Sequence, residues 1–300
     1  MKENQYFRTV ELSSPRFTQP GIRHMTVKSP ALGRRGDISF YVPPQAASQG
    51  CQALLLLLNG VYNSHWGWLY HAGVHITLQR LIDSGATRPM VLAMPSDGLW
   101  GDGSAYLPHG SEDAERWIME DAIEASLLAA PELRRPPKLF PKLFLAGLSM
   151  GGYGALRLGA KWAARISGVS AHSAITRISE MAQFAEEPLV CYSAENSDEL
   201  DPLYWMKEHR DALPPIRFDC GVDDPLLPGN RLLHRALVEE GIEHSYQEFP
   251  GGHEWPYWEE HVERTILFCE AEMRKLDRRD ADAAESAQTE VAASPGKRSV

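Results

Sequence analysis

The 300-residue chain predicts a single domain of the α/β class, with a mostly parallel central sheet covered by helices on both faces. Three observations carry that expectation. Short apolar runs of strand length alternate along the chain with amphipathic stretches of helix length. One of those runs, "ALLLLL" at 53–58, is apolar at every position, as a strand buried on both sides requires. The composition, 43% apolar with eight tryptophans, suffices for a substantial core, and no internal repeat breaks the alternation.

Each element follows in order. "IRHMTVKS" and "GDISFYVPP" alternate in part and are joined by the turn-rich "PALGRRG", which fits an antiparallel pair at the N-terminal edge of the sheet. "CQALLLLLNG" is a central strand. The loop "VYNSHWGW" leads to a helix, "HITLQRLIDSG", ended by Gly85. "MVLAMPSDGLW" is again an apolar strand running into a polar loop. "SEDAERWIMEDAIEASLLAA" has helical periodicity, with Ser111 as candidate N-cap and acidic residues in the first turn. "KLFLAGLS" and "GYGALRLGAKWA" form the next strand and helix, and "ARISGVSAHSA" and "IRFDCGVDD" two further strands. "PGNRLLHRALVEEG", "HSYQEFPGGHEW" and "YWEEHVERTILFCEAEMRKL" complete the set as helix, strand with exit loop, and closing helix. The long aromatic connection at 176–214 has room for a small helical cap over the sheet edge. From Asp277 the chain is rich in Ala, Ser and charge, which predicts a disordered tail at 277–300 and a folded domain at 1–276.

Charge and composition exclude several function classes. A net charge of −10 argues against nucleic acid as a partner, because phosphate binding wants a basic surface. No apolar run reaches membrane-spanning length, so no membrane partner is expected. The N-terminal stretch lacks the apolar segment of a secretory signal, which favours a cytoplasmic location unless such a segment was removed. Cysteines 51, 191, 220 and 269 are too far apart for metal or redox spacing and are expected as free, mostly buried thiols. The "DGLWGDGS" stretch lacks calcium-loop spacing, and the only glycine cluster surrounds a serine. Neither metal nor cofactor is expected. Assembly into a homo-oligomer stays open.

That serine is the focus of the chemistry. In "LFLAGLSMGGYGALRL" Ser149 stands between an apolar strand and a helix, flanked by Gly147 and Gly151. A bland tight turn would account for the hydroxyl, but strand, Gly-x-Ser-x-Gly and helix is the context of a nucleophile held on a strained elbow. A serine needs a general base, and the base a carboxylate to orient it. On this architecture both follow in later strand-end loops, the acid first. "FDCGVDDP" offers Asp223 and Asp224: the turn after Gly221 would place Asp224, whereas Asp223 could cap that turn. "FPGGHEW" offers His253, the one histidine with the right order, a strand end and a permissive loop. His172 precedes the acid and is assigned at most a pocket-lining role; His234 and His261 sit in helical patterns and read as surface or packing residues. Two backbone amides should serve an oxyanion: that of Met150, after the serine, and that of Val61, after Gly60 at the exit of the first central strand. Trp66, Trp68, Trp100, Trp255 and Trp258 fall in loops at the same edge and suggest an aromatic-walled cleft, with Asp97, Asp102 and His109 as polar groups for substrate hydroxyls.

Together these stretches resemble the esterase D-like branch of the α/β-hydrolases, which includes S-formylglutathione hydrolases, feruloyl and acetyl-xylan esterases, and secreted mycolyltransferases. The resemblance covers about Ile22 to Leu276 and rests on "LLLNGVYNSHW", "MVLAMPSDGLW", "LFLAGLSMGGYGALRL", "FDCGVDDPLL" and "FPGGHEWPYW". It implies Ser149, Asp224 and His253 as a triad, Val61 and Met150 as oxyanion donors, and hydrolysis of a small carboxylic ester through an acyl-enzyme. The chain departs from the family at two places. Asn59-Gly60 replaces the His-Gly of many relatives, and "GVYNSHWGW" lacks the cysteine-containing loop of the S-formylglutathione hydrolases, which weakens the expectation of a glutathione thioester. The aromatic loops favour a short-acyl or aromatic-acyl ester, including esters on carbohydrate. A thioesterase, an acyltransferase using the same residues, and a non-catalytic binding protein on this fold are the alternatives.

Overall fold

The computed structural model describes residues 6–133 and 141–293, with side chains as far as Asp282. Among the described residues nine strands form one sheet: β1 (Val10–Leu12), β2 (Ile22–Lys28), β3 (Arg35–Tyr41), β4 (Ala53–Leu58), β5 (Val91–Pro95), β6 (Lys142–Leu148), β7 (Gly168–His172), β8 (Ile216–Gly221) and β9 (Ser245–Phe249). Their order across the sheet is β1-β2-β3-β5-β4-β6-β7-β8-β9. β1, β2, β3 and β5 pair antiparallel in sequence, and every pair from β5 to β9 is parallel. The expected antiparallel N-terminal edge on a parallel sheet is present. All six residues of β4 are buried, which is why that strand carries no polar side chain.

The principal helices are α1 (Val74–Asp83), α2 (Ala122–Ala129), α3 (Met150–Lys161), α4 (Pro202–Glu208), α5 (Leu227–Glu239) and α6 (Trp255–Ala293). Gly85 follows α1 with a left-handed φ of 74°, as a helix stop requires. The helical stretch before α2 differs from expectation. Its N-cap is Asp113, not Ser111: the Asp113 carboxylate accepts from the Arg116 amide at 2.8 Å, and residues 117–121 wind as a π-helical turn. At the other end, α6 continues to Ala293, where composition suggested disorder from Asp277. The cause is local. Asp277 pairs with Arg88 at 2.6 Å and with Lys142, and the alanines and charged residues beyond it are good helix formers. Residues 294–300 lie outside the described chain.

The connection 176–214 consists of short 3₁₀ turns followed by α4. Asp201 caps α4 by accepting from the Leu203 amide at 2.8 Å, with Pro202 in the first turn. The segment is tied down on α3: Tyr153 donates to the Leu200 carbonyl and Arg157 to that of Glu199, both at 2.7 Å. Arg157, itself buried, is neutralised by Glu115 at 2.8 Å. Among the described residues no helix is long and apolar enough to cross a membrane. Cys51, Cys220 and Cys269 are buried, and Cys191, on the 176–214 segment, is exposed.

Candidate active site

At the junction of β6 and α3 the backbone of Ser149 adopts φ 54° and ψ −121°. For a residue with a Cβ such a conformation costs about 1–3 kcal/mol and persists only where its surroundings enforce it. The flanking glycines explain how they do so. A Cβ on Gly147 would lie 2.1 Å from the Gly151 carbonyl oxygen, and one on Gly151 would lie 2.2 Å from that of Leu58. Strand and helix therefore cross at a distance that admits no side chain at either position. The turn is clamped by its backbone: the Ser149 amide donates to the His172 carbonyl at 3.0 Å, and the Ser149 carbonyl accepts from Ile175 and Tyr153, both at 3.1 Å. The hydroxyl stands at the head of α3, where the first amides have no intrahelical acceptor and the helix dipole is positive.

Two loops converge on that hydroxyl. Beyond β8, the Asp224 amide donates to the Gly221 carbonyl at 3.2 Å, which closes the turn. One Asp224 carboxylate oxygen accepts from the Leu226 amide at 2.8 Å and the other lies 2.9 Å from His253 Nδ1. Beyond β9, Gly251 takes a φ of 123° that favours glycine, and a Cβ on Gly221 would meet its carbonyl oxygen at 2.3 Å, so the two loops are pressed together. Asp223 is exposed and contributes its backbone amide to the Gly251 carbonyl at 3.0 Å. His253 Nε2 lies 3.0 Å from Ser149 Oγ. With a carboxylate at Nδ1, the neutral ring carries its proton there and offers Nε2 as acceptor to the hydroxyl. A continuous path from carboxylate through imidazole to hydroxyl results, with the serine only 2% exposed.

The loop after β4 passes beside the serine. A Cβ on Gly60 would lie 2.9 Å from Leu148 Cδ1 and 3.2 Å from Ser149 Cβ, so the Gly60–Val61 peptide runs against the elbow. Asn59 accounts for the departure from His-Gly at this point. It is buried, its side-chain amide donates to the Gly60 carbonyl at 2.8 Å, and its own carbonyl accepts from Tyr106 at 2.9 Å. The sharp exit is thus held without an imidazole.

The family described as "Putative esterase" matches residues 29–266. The chain belongs to this esterase family. It is 29% identical over 224 residues to an acetyl esterase of Caldicellulosiruptor saccharolyticus, a match covering 69% of this chain and 79% of that protein. Among solved structures it resembles a ferulic acid esterase, with a TM-score of 0.70 at 20% identity over 89% of this chain and 99% of that one. It also resembles an S-formylglutathione hydrolase from Staphylococcus aureus, with a TM-score of 0.65 at 16% identity over 87% and 98% of the two chains. The sheet order, the antiparallel edge and these likenesses make the fold that of the α/β-hydrolases.

In this esterase the aromatic residues singled out in the sequence divide into two groups. Trp66, Trp255 and Trp258 join through His71 in a run that ends at the site. Trp66 lies 5.2 Å from His71, His71 stacks on Trp255 at 4.6 Å, Trp255 meets Trp258 at 5.1 Å, and Trp258 stands edge-on to His253 at 5.0 Å. Trp258 is buried, and so is Trp68, whose indole turns back to donate to the Leu58 carbonyl at 3.0 Å. Trp100 stacks flat on His109 at 3.7 Å, and Tyr192 packs edge-on against both, so these rings dock the 176–214 segment onto the 97–109 loop. His109 is further held by the Ser104 carbonyl at 2.8 Å. His172 lines no pocket, being fully buried between Asp219 at 3.0 Å and Thr265 at 2.7 Å. Asp97 is also buried, its carboxylate taking the Leu99 and Ser104 amides at 2.9 and 2.7 Å; burial raises its pKa against those bonds. It shapes the loop and is not available to a substrate hydroxyl. Asp102 is engaged by the backbone of Glu186 at 2.8 Å. His261 is a packing residue, stacked on Phe249 at 4.5 Å, and His234 shares a 2.8 Å hydrogen bond with His244.

Two residues at the site escaped the sequence reading. Phe184, from the 176–214 segment, stacks on His253 at 5.1 Å. Its only signal was membership of an aromatic connection long enough to fold back. Tyr62 is exposed beside the Val61 amide, its phenol pushed up by its partial burial and then by the carboxylates of Asp102, Glu186 and Glu187. Its position next to the assigned donor was the available clue.

Proposed function

We propose that this esterase hydrolyses small, uncharged carboxylic esters through an acyl-enzyme on Ser149. The observation that carries the proposal is the hydrogen-bonded path from Asp224 through His253 to a serine strained at a helix N-terminus. Ser149 Oγ attacks the ester carbonyl while His253 Nε2 takes its proton, and Asp224 holds the ring in the required tautomer and stabilises the imidazolium. The Val61 and Met150 amides receive the negative charge that develops on the carbonyl oxygen. Collapse of the intermediate expels the alcohol, protonated by His253, and water repeats the sequence on the acyl group.

The acetyl esterase relative supports a short acyl group, and the accessible rings of the aromatic run, Trp66 and Trp255, support a flat partner such as a sugar ring or an aromatic acid. The carboxylates facing Tyr62 support an uncharged substrate over an anionic thioester. The test is incubation with p-nitrophenyl acetate and with a fluorophosphonate probe. Turnover, together with labelling confined to Ser149, is the expected result. Folded protein that neither turns over nor takes the label would overturn the reading.

A further inference from the structure

We infer that Asp102 is a positioning residue, latching the loop beside Ser149 to the segment that covers His253. The inference rests on the catalytic reading above, but its geometry stands apart from it. The Asp102 carbonyl accepts from the Tyr62 amide at 2.8 Å, one residue beyond Val61. Its carboxylate accepts from the Glu186 amide at 2.8 Å, and its own amide donates to both carboxylate oxygens of Glu187 at 3.1 Å. The pairing is reciprocal: each carboxylate serves the other segment's backbone. It also requires a bare neighbour, because a Cβ on Gly101 would stand 2.3 Å from Glu187 Oε1. Two residues before Glu186, Phe184 stacks on the His253 ring.

One residue thus joins three segments far apart in the chain, and two of them touch opposite parts of the site: the amide assigned to the oxyanion and the imidazole assigned as base. The segments of Asp102 and Glu186 are also braced by Tyr192, which donates to the Gly103 carbonyl at 3.1 Å and packs on Trp100. Displacements on the order of 1 Å at such groups cost about a hundredfold in rate.

The experiment compares Asp102→Ala, Asp102→Asn and Glu187→Ala with the wild type on p-nitrophenyl acetate, alongside hydrogen exchange at the Tyr62 and Glu186 amides. Asp102→Ala is expected to lower kcat roughly ten- to a hundredfold with little change in KM, and to speed exchange at Glu186 and at Tyr62 together. Asp102→Asn keeps an acceptor oxygen and is expected to restore most of both. Glu187→Ala should move the same readouts in the same direction by less, and it decides the matter if Asp102→Ala proves unfolded by circular dichroism. Wild-type kcat in folded Asp102→Ala, or exchange that rises at Glu186 alone, would overturn the latch. A wild type without turnover would overturn the catalytic reading instead, while the coupled exchange would still report on the latch.

Discussion

His172 meets Asp219 at 3.0 Å at the ends of β7 and β8, and His253 meets Asp224 at 2.9 Å in the loops just beyond. In both pairs Nδ1 faces the carboxylate. They differ in what lies at the far nitrogen and in access to solvent. His172 Nε2 is closed off by Thr265, inside helix α6, and both partners are fully buried. Asp219 also takes the Tyr257 hydroxyl at 2.8 Å and the Arg217 guanidinium. Burial alone would raise its pKa, but His172, Arg217 and Tyr257 together hold it well below the usual carboxylate range. His253 keeps 16% of its side chain exposed and aims Nε2 at a hydroxyl held in a strained conformation. A histidine–aspartate bond is therefore common to a structural brace and to a candidate catalytic centre. The strained serine and the open edge set the second apart.

The largest expected contrast lies at the two hydroxyls. Ser149→Ala should lower kcat/KM for p-nitrophenyl acetate by at least about 10⁴-fold while leaving thermal stability near that of the wild type. Thr265→Ala should do the reverse, keeping activity within a few-fold while lowering Tm, because it strips a buried imidazole nitrogen of its partner. Loss of activity in a stable Thr265→Ala protein would break the distinction between brace and site.

The two aspartates give the next contrast. Asp224→Asn should cost about 10⁴-fold in kcat by permitting the wrong histidine tautomer, whereas Asp223→Asn, at an exposed carboxylate, should cost a few-fold at most. Equal mild losses would force reassignment of the acid. Asp219→Asn should instead destabilise the fold by about 3 kcal/mol in urea titrations, since it leaves Arg217 buried without its counter-charge.

That deficit has a predictable pH dependence. The folded-state pKa of Asp219 is depressed, so its contribution is full above the unfolded carboxylate value of about 3.9 and is lost as pH falls toward the folded value. The difference in stability between Asp219→Asn and the wild type should shrink as pH falls below about 4. A gap that stays constant down to pH 3 would show that the ion pair contributes nothing.

What could be read from the sequence, and what could not, follows the same division. The β4 run and the Gly-Leu-Ser-Met-Gly elbow were legible because sterics leave few alternatives: a strand apolar at every position must be buried, and glycines at 147 and 151 are needed where backbones cross. His253 was legible from its glycine loop. The tryptophan cleft was only partly so, because the direction of a side chain depends on tertiary partners. Trp68 turns inward to a carbonyl and Trp100 lies on His109, neither of which a spacing pattern reveals. Phe184 and the fate of Asp102 were invisible for the same reason. Both depend on contacts more than sixty residues apart in the chain. The extended α6 was hidden by an Ala- and charge-rich composition that suits a solvated helix as well as a tail.

The smallest expected effect concerns charge at the mouth of the site, where the contrast with the buried pair is sharpest: Asp219 is neutralised on all sides, while Glu186 is exposed and shares the surface around Tyr62 with Asp102 and Glu187. Glu186→Gln removes one carboxylate and leaves intact the backbone amide that serves Asp102. An exposed charge interacts with a nearby ion by about 0.2–1 kcal/mol, which corresponds to less than about a fivefold change. The ratio of kcat/KM for p-nitrophenyl hemisuccinate, anionic on its acyl group, to that for p-nitrophenyl acetate should therefore rise about two- to fivefold in Glu186→Gln. Because solvent-exposed charges are screened by salt, the gain should shrink between 0.01 and roughly 0.5 M salt as the Debye length falls from about 30 Å to a few ångströms. A ratio that does not move, or moves equally at high salt, would remove the electrostatic argument for an uncharged substrate and leave substrate choice to the shape of the aromatic walls.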